Sequence, residues 1–168
     1  MTILRLVVLA LALAGGSPSV LATEPDVFLV EFRSYRPSIH FFGNDGPAQP
    51  MFSVIRTEPE WKQLWSEIEP HMGRDGDKRG PYPAPFIDFR RDTLIVAAAG
   101  MKTSGGWSVA IHSMREFPSR ILVFVIELRP GKHCMASSVI THPIALALIP
   151  RTTKPVDFDI IRGETACE

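Results

Sequence analysis

The sequence is short of net charge, of long apolar runs and of cysteine. Lysine plus arginine and aspartate plus glutamate number 18 each. No basic stripe interrupts that balance, so nucleic acids and anionic membrane surfaces lack the electrostatic footprint they require. The longest purely apolar stretch, Leu6 to Ala14, is too short to cross a bilayer core. None of the five histidines stands four residues from another, and there is no His-Glu-x-x-His. No Gly-x-Ser-x-Gly elbow and no Gly-rich phosphate cradle is present either. The expectation is therefore no membrane span, no metal, no cofactor, no catalytic set and no nucleic-acid partner. Asp75-Gly76-Asp77 starts like a calcium loop, but the remaining ligand positions and the closing glutamate are missing. The cysteines are two, Cys134 and Cys167.

What is there begins with a leader. Arg5 precedes the Leu6 to Ala14 stretch, Gly15, Gly16 and Pro18 break any helix, and Val20-Leu21-Ala22 offers small residues for cleavage. This is the pattern of a secretory signal over residues 1–22. The mature chain is expected to start at Thr23 and to be periplasmic or extracellular. Loss of Arg5 leaves it with one net negative charge. In an oxidising compartment a small, even cysteine count is ordinarily paired, so a Cys134–Cys167 disulfide is expected. Closing that loop contributes about 3–4 kcal/mol on the chain-entropy estimate.

The remaining length suits one domain, and 45% hydrophobic residues supply its core. The reading divides the chain into the leader, an N-terminal strand and loop (23–50), a main domain (51–162) and a tail (163–168). Residues 27–34 alternate as one strand, with Phe28, Val30 and Phe32 on one face. Residues 51–56 form a short second strand. Thr57-Glu58-Pro59-Glu60 is a capping box with proline in the first turn. Trp61, Leu64, Trp65 and Ile68 follow at helical spacing up to Pro70 and predict an amphipathic helix docked through its tryptophans. Residues 71–86 form a long polar linker. Strands follow over 93–100, 107–112, 120–129, 144–148 and 156–160. Ile121 to Ile126 run apolar without a break, as in a strand covered on both faces. Short connections favour antiparallel neighbours. The expected class is α+β: a mostly antiparallel sheet, curled or sandwich-like, with one amphipathic helix packed on it.

From Pro85 the residues form a recognisable series. Pro85-Phe86-Ile87-Asp88-Phe89 leads into the apolar run 94–100. Thr103-Ser104-Gly105-Gly106-Trp107-Ser108-Val109 and a strong strand follow, then Pro130-Gly131 with Cys134, and Pro143 before a further strand. With Glu60-Trp61 and Leu64-Trp65 upstream, the order and spacing resemble the C-terminal domain of the protease complex subunit PrcB family, over roughly residues 52–161. Trp107 stands where tyrosine is the more frequent choice, and no lipobox cysteine stands at the expected cleavage point. The resemblance implies a non-catalytic accessory protein that helps assemble or stabilise a secreted serine protease. It supplies no catalytic residue to carry over.

The segment Lys102, Thr103, Ser104, Gly105, Gly106 and Trp107 has two readings. The structural one joins antiparallel strands, with the glycines supplying a positive φ or a bulge and Trp107 pointing into the core. The functional one makes the same loop a docking element, with Lys102, Thr103 and Ser104 as its exposed face. The expected function is binding another exported protein, a secreted protease by resemblance. A protease-inhibitor-like domain and a hydrolase with dispersed catalytic residues are the alternatives.

Overall fold

The computed structural model describes residues 27–35, 46–68 and 83–166. The leader, His40, His71, the Asp75-Gly76-Asp77 segment and Cys167 lie outside them.

In chain order the elements are β1 (Phe28–Leu29), β2 (Arg33–Ser34), β3 (Met51–Ile55), α1 (Glu58–Ile68), β4 (Asp92–Ala98), β5 (Ser108–Glu116), β6 (Ile121–Pro130), β7 (Ile144–Pro150) and β8 (Val156–Thr165). One four-stranded sheet runs β1-β5-β6-β8 and the other β2-β7-β4-β3. The fold is α+β, mostly antiparallel and sandwich-like, as expected.

The helix forms as the capping box predicts. The Glu60 amide donates to Thr57 Oγ1 at 3.4 Å, while Glu60 Oε2 accepts from the amides of Arg56 and Thr57 at 2.8 and 3.0 Å. Those bonds, that of Arg56 foremost, hold the Glu60 carboxyl below its ordinary value. A lowered folded-state pKa makes this contribution complete above the ordinary carboxylate range and loses it as the pH falls through the lowered value. Trp61, Leu64, Trp65 and Ile68 are buried. They pack with Leu94, Val96, Leu146 and Leu148, one face of the β4–β7 pair. Alternate residues Ile95, Ala97, Ala147 and Ile149 face the other way, toward Met114, Val123 and Val125 of the opposite sheet. Period-two geometry thus gives three layers, with β4 buried on both faces.

Four sequence expectations need correction. Residues 27–34 are two short strands, because the chain leaves β5 in one sheet and joins β7 in the other. Val30 and Phe32 pack toward the core at that crossing, whereas Phe28 is 63% exposed. β6 is covered on one face: Ile121, Val123 and Val125 are buried, but Leu122, Phe124 and Ile126 are half-exposed. β8 pairs with β6 in parallel, since β7 intervenes in the other sheet and reverses the chain once between them. Arg56 fastens that crossover, donating from Nε to Thr152 O at 3.1 Å and from Nη2 to Lys154 O at 2.8 Å. Finally, residues 101–107 do not join neighbouring strands. They carry the chain from β4 in one sheet to β5 in the other.

Candidate functional site

At one end of the sandwich the core face of β6 changes character. Ile121, Val123 and Val125 are followed in phase by Glu127 and Arg129, and on β8 Val156, Phe158 and Ile160 are followed by Arg162 and Glu164. The parallel register sets Glu127 beside Arg162 and Arg129 beside Glu164, while on the other side of β6 Val109 of β5 lies opposite Glu127. The apolar layer therefore ends in an ionic one.

Glu127, 8% exposed, is the most buried charge among the described residues. Burying a carboxylate requires compensation, and two cations provide it. Lys102 Nζ donates to Glu127 Oε1 at 3.0 Å, and Arg162 Nε lies 3.4 Å from Oε2. Arg129 donates from Nε to Glu164 Oε1 at 3.0 Å and makes a second contact there through Nη2. Lys102 Nζ also sits 4.2 Å from the centroid of the Trp107 ring, a cation–π arrangement that holds the indole as a wall. Trp107, Glu127, Arg129, Arg162 and Glu164 line a trough of about 440 Å³. Two arginines against two glutamates leave its lining without net charge.

The loop singled out in the sequence meets this trough, in a different way from that expected. Lys102 is tied down: its backbone bridges Thr141 and its ammonium is committed to Glu127. The Gly105 amide donates to Ser137 O at 2.8 Å and Thr141 Oγ1 to Ser104 O at 3.0 Å. Of residues 102–104, Thr103 alone is exposed. Gly106 has φ +82°, so the glycine does supply the positive φ. Trp107 is half-buried at the trough wall, and Val109 and Ile111 rather than Trp107 reach the inter-sheet core. The structure brings Lys102 and Trp107 together. Glu127, Arg129, Arg162 and Glu164 were missed.

Chemically the trough offers fixed charges and an aromatic face. No hydroxyl, thiol or imidazole lines it, and both of its carboxylates are engaged in ion pairs. Among the described residues no three His, Cys, Asp or Glu side chains group closely enough to hold a metal, and no helix is long and apolar enough to cross a membrane. Cys134 closes a turn in which its amide donates to Gly131 O at 2.9 Å. Its sulfur lies 3.5 Å from Thr165 O, two residues before Cys167.

Fold and site together define a helix-backed, two-sheet α+β domain carrying a charged, aromatic-walled trough. Residues 93–150 match the family model described as PrcB C-terminal, the family the sequence resembles. The match spans about a third of the chain, from the buried start of β4 to the end of β7. It takes in residues 102–107, Glu127 and Arg129. α1, the Asp88-Phe89 turn before β4, and β8 lie outside it. No curated protein and no solved structure matches the chain.

Proposed function

We propose that this protein is an exported, non-catalytic accessory module that binds another exported protein, a secreted protease being the class the PrcB likeness favours. The observation that carries the reading is the trough. A buried carboxylate held between two cations, beside an indole fixed by one of them, is a preorganised recognition surface.

The test compares proteins captured from the exported fraction by wild type and by Arg129→Glu. Arg129 pairs with Glu164 where both are well exposed, so the change should move stability by less than about 1 kcal/mol. With melting unchanged, captured protease should fall several-fold. Equal capture would remove the trough from the interface, and a start at Met1 rather than Thr23 in exported material would remove the leader.

The same export reading requires a Cys134–Cys167 disulfide tying the chain end to the turn at Gly131–Cys134. Support comes from the approach of the Cys134 sulfur to Thr165 O. Intact mass without reductant should lie two hydrogens below the reduced mass. Two alkylatable thiols in freshly isolated protein would overturn the pairing.

A further inference from the structure

β8 is the outermost strand of its sheet, with β6 as its one neighbour among the described residues. The Ile121 amide donates to Pro155 O at 2.9 Å and the Gly131 amide to Thr165 O at 3.2 Å. A strand residue sends its N–H and C=O to the same side, so the odd-numbered residues of β8 face β6. The even-numbered ones, Val156 through Glu164, direct their backbone groups away from the sheet. Native edges are ordinarily blunted by proline, lysine, a bulge or a cover. β8 contains neither proline nor lysine, its charges are Asp157, Asp159, Arg162 and Glu164, and its register with β6 is unbroken over its full length.

The side chains along this edge specify what fits it. On the inner face, Phe158 and Ile160 are half-buried at the rim of the core, the Phe158 ring 5.8 Å from that of Phe52 on β3. On the outer face, Asp157 pairs with Arg120 at 3.0 Å, whereas exposed Asp159 makes no ion pair among the described residues. The edge runs on into the trough, because Arg162 and Glu164 belong to β8 itself.

We infer that β8 receives an extended segment of the exported partner as an added fifth strand, a segment in which apolar side chains alternate with basic ones. The apolar set covers Phe158 and Ile160, the basic set meets Asp159, and main-chain hydrogen bonds to the even-numbered residues supply the affinity. This rests on the binding role proposed above and names the chemistry of the partner.

The probe is a labelled synthetic peptide of alternating valine and lysine, matched to β8 in length, titrated into the mature protein and read by fluorescence anisotropy. Two further peptides carry N-methyl groups, one on every valine and the other on every lysine. An added strand turns one of those two sets of amides toward β8 and the other to water. One methylated peptide should therefore bind at least about tenfold more weakly through loss of several hydrogen bonds, while the other binds like the parent. Asp159→Lys should weaken the valine–lysine peptide and bring in a valine–glutamate one. No binding of the parent, equal binding of all three peptides, or indifference to Asp159→Lys would overturn the added strand. If Asp159→Lys still captures the partner that Arg129→Glu loses, the binding role stands and the edge does not carry it.

Discussion

Trp61→Ala should lower the stability of the folded protein by about 3–5 kcal/mol, the range for truncating a well-packed large aromatic. Trp61 is 1% exposed, its ring centroid lies 5.3 Å from that of Trp65, and Tyr35 meets it edge-on at 6.2 Å. Its Nε1 donates to Pro85 O at 2.7 Å, so the indole also anchors the chain just before β4. Alanine would leave a void that α1 cannot close, because Trp65, Leu64 and Ile68 already fill their own places against the sheet. Trp61→Phe separates the two contributions. It keeps most of the ring volume and loses the hydrogen bond, at about 1–2 kcal/mol. Thermal melting should show the alanine variant lower by about 10 °C or more for a chain of this size. A midpoint within about 1 °C of wild type would mean that α1 does not dock as described.

Lys102→Glu should cost about 3 kcal/mol, although lysine in a loop ordinarily reads as a harmless surface position. The ammonium is Glu127's nearer counter-ion, and the two side chains are 17% and 10% exposed. Reversing it sets two carboxylates face to face where water screens them poorly, and it removes the cation over Trp107. Arg162, 68% exposed, can turn to water and compensates little. Lys102→Met measures the loss of attraction alone and should cost less. Combining Lys102→Glu with Glu127→Gln should recover the part due to repulsion, a coupling that a double-mutant cycle reads directly. If Lys102→Glu melts like wild type, the ion pair does not organise the trough.

Local signals were the legible ones. The capping box at Thr57–Glu60 and the Trp61-Leu64-Trp65-Ile68 stripe needed nothing beyond a few residues of context, and α1 forms over them. The apolar run in β4 likewise announced a buried strand. Pairing was less legible. Residues 121–126 read as doubly covered because leucine, phenylalanine and isoleucine alternate with the buried set, yet the helix chose the opposite sheet. The trough was invisible for the same reason. Glu127, Arg129, Arg162 and Glu164 each look like solvated charges, and only the parallel register of β6 and β8 makes two ion pairs of them. A hint was present: in both strands the core-facing series turns from apolar to charged at its C-terminal end. Reading it required knowing that the two strands lie side by side.

The parallel pairing of β6 with β8 also bears on the order in which the chain can assemble. β5 and β6 make a local hairpin, but the inner face of β6 lacks its lateral neighbour until β7 has entered the other sheet and the chain has crossed back. Pairing across such separations must overcome the loop-closure entropy before its contacts form, which slows it relative to a local hairpin. Glu127 is left without Arg162 until that last step. Completion of that sheet, and of the ion pairs on Glu127 and Arg129, therefore waits on β8. A chain proposed to leave the cell through a narrow translocation channel gains from that delay.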